Sequence, residues 1–170
     1  MTLSLELKIP PLLVLTLCLL LQYALSVYVS PFLMANSSSS SSSSWDSFSQ
    51  FLAIRIGLMT VVMGIGILIA WLGVRAFHQS KTTVNPLNPS QASSLVSHGI
   101  FEYTRNPMYV GMSLVAFGVS LFLLDPLAFL CVPLFSMYLN YYQIIPEERE
   151  LRKIFGKEFE EYMIRVRRWI

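Results

Sequence analysis

The stretch PMYVGMSLVAFGVSLFLLDPLAFLCVPLFSMYLNYYQII, Pro107 to Ile145, decides the fold. Pro107 to Leu124 carries no charged residue and neither does Pro126 to Ile145, so Asp125 alone separates them. Each half approaches the roughly 20 residues that an α-helix needs to cross about 30 Å of hydrocarbon. Asp125-Pro126 places an N-cap before a proline at the first helical position, and Asn106-Pro107 repeats that grammar at the start of the first half. The short turn predicts an antiparallel hairpin, with Pro133 kinking its second helix.

Working outward, Pro11 to Met34 and Ile56 to Val74 are also uncharged. With 54% hydrophobic and 13% charged residues and a mean hydropathy of +0.57, the chain is too apolar for an ordinary soluble domain. The expected fold is an all-α membrane protein, a single domain with transmembrane helices at about 11–34, 52–76, 107–124 and 126–145. The first span is longer than the apolar core of a secretory signal, so it is expected to be retained. A serine-rich outer loop, 36–46, follows it. Ser47 with Gln50 fits a capping box opening the second span.

The basic residues set the expected orientation. Lys8 precedes the first span, Arg75, Lys81 and Arg105 flank the middle loop, and seven lysines and arginines follow Ile145. The positive-inside rule then makes this an integral, multi-pass protein with both termini and the middle loop cytoplasmic. The basic tail lacks a base-stacking pattern, which favours attraction to anionic lipid over nucleic acid. Cys18 and Cys131 fall inside apolar blocks and read as packing residues. His78 and His98 are isolated, so no metal is expected.

Beyond Ile145 the pattern becomes that of a cytoplasmic amphipathic helix. At 100° per residue, Leu151, Ile154, Phe155, Phe159, Tyr162, Val166 and Trp169 share one side, with Gly156 as a bend point. Glu147 and Glu148 fall on that apolar side, so they require cationic or hydrogen-bonding partners.

A second cluster precedes the hairpin: Leu95, Val96 and Gly99, then Arg105-Asn106-Pro107-Met108-Tyr109 with Gly111. Together with Glu147-Glu148, Leu151, Phe155-Gly156 and Tyr162, these residues resemble the isoprenylcysteine carboxyl methyltransferase and phospholipid methyltransferase group of integral-membrane enzymes. The resemblance covers roughly residues 81–170. It implies S-adenosylmethionine as cofactor, bound at the cytoplasmic face, with Leu95, Val96, Gly99, Asn106, Pro107, Tyr109, Glu147 and Glu148 as the expected contacts; Arg105 is the expected catalytic residue. It also implies a lipophilic acceptor met in the bilayer, with carboxyl O-methylation of an isoprenylcysteine-like group as the leading reaction and N-methylation of a phospholipid ethanolamine headgroup as the alternative. Asn106, where the prenylcysteine enzymes carry histidine, looks more like the phospholipid enzymes. Gln143 stands near the place where the former have a substrate-binding arginine.

The chemistry suits such a site. A glutamate would pair with the cofactor's ammonium, and the N–H groups opening the helix at Pro107 would hold its carboxylate. An acceptor carboxylate is ionised already, and Arg105 would orient it. An amine acceptor would need one glutamate as base. Simpler readings stand beside these: Arg105 as a cytoplasmic anchor, Asn106-Pro107 as capping, Glu148 paired with Arg152, Tyr109 as an interfacial aromatic, and Gly64-Ile65-Gly66 as close helix packing. A non-catalytic scaffold retaining the fold is the alternative of a different class.

Overall fold

The structure, a computed structural model, describes residues 7, 9–34, 45–80 and 94–170. Among these every regular element is a helix or helical turn. Helix α1 (Pro11–Ala24) runs through a π-helical turn (Leu25–Val29) into α2 (Ser30–Met34). Helix α3 spans Trp45–Gln79, and a 3₁₀ turn (Gly99–Glu102) precedes α4 (Pro107–Leu123) and α5 (Pro126–Leu139). A second π-helical turn (Asn140–Ile144) leads into α6 (Ile145–Phe155), and α7 (Lys157–Arg165) follows. The serine run, Asn85 to Pro89, Lys8 and Lys81 lie outside the described residues.

Among the described residues, three helical stretches are long and apolar enough to cross a bilayer: Pro11–Val29, Phe51–Gln79 and Pro126–Phe155. The apolar part of the last ends before Glu147. Helix α4, expected as a fourth crossing, has 17 residues and spans only about 25 Å at the helical rise. Many large apolar side chains on α1, α3 and α5 face outward, Val61 being 61% exposed and Leu134 55%, as helices surrounded by lipid would present them.

Helix α4 packs most extensively on α3, and glycines set the approach. A Cβ on Gly111 would lie 2.4 Å from the Gly66 carbonyl oxygen and 2.8 Å from Ala70 Cβ; one on Gly118 would meet Met63 Cγ at 2.7 Å. Gly73 faces Pro107 in the same way, at 3.0 Å. Rising numbers on α3 meet falling numbers on α4, so the two run antiparallel. Gly66 therefore supports the close-packing reading of Gly64-Ile65-Gly66, whereas a Cβ on Gly64 would meet nothing within 4 Å.

The hairpin forms as its sequence predicts. Asp125 caps α5, accepting from Leu127 N at 2.8 Å and Ala128 N at 3.3 Å. Leu124 closes α4 in the left-handed region at φ 50°. A polar knot fixes α1 to this hairpin: Gln22, fully buried, donates to the Ala116 and Ala128 carbonyls, both at 3.2 Å, and contacts Ser120 Oγ at 3.0 Å. Cys18 and Cys131 are buried and unlinked.

Three local expectations are corrected. Helix α3 is already helical at Trp45, so Ser47 and Gln50 sit within it instead of opening it. Asn106 occupies the N-cap position of α4, but its side chain makes no capping bond; it donates elsewhere. The C-terminal amphipathic segment is two helices, because Gly156 at φ 50° and ψ −123° breaks it. Phe159, Tyr162 and Val166 are buried as expected, while Ile154 is 41% exposed.

Both ends of the described chain meet at one end of the bundle. Leu7 N–H donates to the Tyr142 carbonyl at 3.0 Å, and Gln143 Nε2 to the Ile9 carbonyl at 2.8 Å. Arg105 N–H donates to the Arg167 carbonyl at 3.0 Å. The segment before α4, the start of α6 and the C-terminal residues thus share one place.

Candidate functional site

Glu148 is the centre of that place. It is 8% exposed and lies in the first turn of α6, where helix periodicity turns it inward. Arg105 reaches its Oε1 with Nη2 at 2.8 Å and Nε at 3.2 Å. Arg168 grips both oxygens, Nη2 to Oε2 at 2.6 Å and Nε to Oε1 at 3.1 Å. Burial alone would raise the Glu148 carboxyl, but the hydrogen bonds and charges of the two arginines hold it below the ordinary range. Two guanidinium charges against one carboxylate leave this triad with a surplus positive charge.

The arginines also close the C-terminal segment over the site. Arg105 Nη1 donates to the Met163 carbonyl at 3.2 Å and to the Val166 carbonyl. All three nitrogens of Arg105 are therefore engaged. Thr104 Oγ1 and Asn106 Nδ2 donate to the Arg168 carbonyl at 3.2 and 2.9 Å. Asn106 thus ties its amide N–H to the C-terminal segment, and its side-chain oxygen makes no capping bond. Beneath the triad, Tyr162 donates to the Phe101 carbonyl at 2.7 Å. Its phenol, raised by burial, stays neutral.

Glu147, the neighbouring acid, has a different environment. It is half-buried and accepts a short hydrogen bond from the Tyr109 phenol. Burial pushes its carboxyl up to about 8; the Tyr109 bond opposes this, and the Glu148 charge adds to it. Tyr109 itself is 3% exposed, so it is not an interfacial aromatic, whereas Tyr103 at 74% and Tyr141 at 57% are exposed as that reading expects.

The remaining sequence candidates divide. Pro107 is fully buried against Gly73. Val96 is buried with Ala76 and Phe101, and Leu95 packs on the Phe159–Tyr162–Val166 cluster, so both form the apolar floor beside the triad. Gly99 is exposed at φ +65° and donates to Glu102 Oε1 at 3.3 Å. It joins neither glutamate. Arg152 turns to Glu160 at 4.0 Å and Met163 Sδ at 3.6 Å, leaving Glu148 to the other arginines. Arg168 was hidden in the basic tail, although two inward acids announced the need for such a partner. Among the described residues no group of three His, Cys, Asp or Glu side chains is placed to hold a metal.

Residues 52–158 match the family model described as phospholipid methyltransferase, a span that includes α4, α5 and both glutamates. The chain belongs to this family. Over 111 residues it is 32% identical to a probable protein-S-isoprenylcysteine O-methyltransferase of rice (Oryza sativa subsp. indica), covering 65% of this chain and 57% of that protein. A protein-S-isoprenylcysteine O-methyltransferase of Tribolium castaneum is 29% identical over 118 residues, 66% of this chain and 39% of the relative. An uncharacterised protein of Haemophilus influenzae is 38% identical over 63 residues, its whole length and 37% of this chain. The chain thus spans less than three-fifths of the rice relative. No solved structure gives a significant match.

Methyl transfer implies a methyl donor such as S-adenosylmethionine, and the site's groups fit its charged ends. Glu147 offers a carboxyl that neither Arg105 nor Arg168 engages; protonated at neutral pH when no cation faces it, it would ionise against an ammonium. The first turn of α4 lacks a side-chain cap, leaving early N–H groups and the positive end of the helix dipole for a carboxylate.

Proposed function

We propose that this chain is an S-adenosylmethionine-dependent methyltransferase acting on a lipophilic acceptor at the membrane surface. The observation that carries the reading is the unequal pair of glutamates: Glu148 locked between Arg105 and Arg168, Glu147 accepting from the Tyr109 phenol. When bound, the cofactor supplies an electrophilic methyl group on a sulfonium. Glu147 would hold its ammonium, and the N–H groups at the start of α4 its carboxylate. Leu95, Val96 and Pro107 furnish apolar walls that keep water out, and the Arg105–Glu148–Arg168 triad keeps the C-terminal segment closed. Such orientation and water exclusion supply much of the catalysis in a transfer that needs in-line alignment.

The same pair favours a carboxylate acceptor, hence O-methylation of an isoprenylcysteine-like group, the substrate named in two relatives. An amine must lose a proton to react, yet Glu148 is held as a paired anion and Glu147 serves the cofactor. A carboxylate is ionised already, and the triad's surplus positive charge attracts it. Arg105 acts here as a clamp, since orienting the acceptor directly would require it to release Glu148 or a carbonyl. The second reading, N-methylation of a phospholipid headgroup, is supported by the family model and by the high Glu147 pKa, which suits a general base.

The topology we propose has α4 as a fourth crossing paired with α3, and both chain ends with the site on the cytoplasmic side. The acceptor enters laterally from the bilayer and the cofactor from the cytoplasm. Purified protein incubated with methyl-labelled cofactor, an N-acyl S-prenylcysteine and phosphatidylethanolamine vesicles tests the reading. Base-labile label in the prenylcysteine supports it; base-stable label in the headgroup selects the second reading, and no transfer to either opposes both.

A further inference from the structure

Arg168 follows α7 in a segment whose sequence reads only as a basic tail, yet it joins three parts of the site. Its side chain is 32% exposed. Nη2 and Nε fork onto Glu148 at 2.6 and 3.1 Å, while Nη1 donates to Asn140 Oδ1 at 3.1 Å. Asn140 opens the π-helical turn that feeds α6, and Glu148 lies in the first turn of α6. The Arg168 carbonyl meanwhile accepts from Thr104 and Asn106, just before α4. The planar guanidinium matters to this arrangement. A lysine ammonium is a point charge and cannot span the two carboxylate oxygens and the Asn140 amide in one plane.

Building on the cofactor role proposed for Glu147, we infer that Arg168 is a positioning residue. By gripping Glu148 and Asn140 together it fixes the first turn of α6, and so holds Glu147 against Tyr109 and open to a cation. Its action passes through Glu148, not through contact with the reacting groups. The charges facing Glu147 make the role measurable. Tyr109 faces it from α4, and Glu148 adjoins it on α6, with Arg105 and Arg168 balancing Glu148 from behind. Without Arg168 the Glu148 charge is balanced only by Arg105, so Glu147 ionises at higher pH.

Binding of S-adenosylhomocysteine to the full-length protein in detergent, followed across pH, reads this without any acceptor. Arg168→Gln should weaken binding near neutral pH about tenfold, the value of one charge-assisted hydrogen bond, and move the half-maximal pH upward. Arg168→Lys keeps the charge and loses the fork; it should melt like the wild type, bind severalfold more weakly, and keep the wild-type midpoint. If Arg168→Gln does not fold, the lysine variant carries the test. Folded variants binding as wild type would overturn the inference, and so would weaker binding by Arg168→Gln at an unmoved midpoint. Wild-type protein that binds no S-adenosylhomocysteine would overturn the methyltransferase reading itself, a separate result.

Discussion

Replacing Glu147 with glutamine removes a carboxyl that the fold holds protonated. Burial is the main cause that lifts this group to about 8 from an ordinary 4.5, against the opposing Tyr109 bond. The unfolded chain releases the proton near the lower value, so between the two only the folded state keeps it. Stability is therefore greatest below about pH 4.5, falls as the pH rises toward 8, and is level beyond. At about 1.4 kcal/mol per pH unit the whole fall is on the order of 4–5 kcal/mol, an upper figure because Glu147 keeps some exposure. For a chain of this length that is a drop of roughly 10 °C in melting temperature. Glu148 has the opposite sign: burial raises it, but Arg168 and Arg105 outweigh burial and lower it. Its contribution is present above the ordinary carboxylate value and lost as pH falls below it, outside the Glu147 window. Melting of the cofactor-free protein in detergent from pH 5 to 8 is the assay. Wild type should lose stability across this range and Glu147→Gln should not. Parallel curves for the two proteins would refute the environment assigned to Glu147.

Three further predictions concern the frame around the site. Gly111→Ala forces a Cβ to within 2.4 Å of the Gly66 oxygen, so α3 and α4 must separate; thermal melts should show about 1–3 kcal/mol of destabilisation, and unchanged melting would contradict the close crossing. Gln22→Leu removes the bonds tying α1 to the hairpin and should cost about 1–2 kcal/mol in detergent, read as easier proteolysis within the α1 segment; wild-type resistance would deny the knot its role. Tyr162→Phe leaves the buried Phe101 carbonyl without its donor, for a loss of about 1–3 kcal/mol by chemical denaturation, and no loss would show that water replaces the phenol.

Much of this was legible in the sequence because hydrophobic blocks and caps are local signals. The uncharged runs marked the helices, and Asp125-Pro126 marked the hairpin turn whose cap is seen. The inward direction of Glu147 and Glu148 followed from helical period alone. What escaped depends on meetings between distant residues. Arg168 and Glu148 are brought together only by the break at Gly156 and the return of the chain over Thr104 to Asn106. Gln22 carries no signal of its own within an uncharged span, because its partners Ala116, Ser120 and Ala128 lie on distant helices. Asn106 has the residue type of a cap, but its oxygen makes no capping bond while its amide nitrogen donates to the Arg168 carbonyl. Nor does spacing distinguish the two adjacent glutamates, which differ because one faces two guanidinium groups and the other a phenol.

The central claim is that Glu147 opens onto a cofactor site at this end of the bundle, and equilibrium binding of S-adenosylhomocysteine to the purified wild type and Glu147→Gln tests it most directly. The wild type should bind, and the folded variant should bind at least about tenfold more weakly, reflecting the loss of one charge-assisted contact. Equal binding by the two proteins, or none by the wild type in any detergent or lipid, would contradict the account.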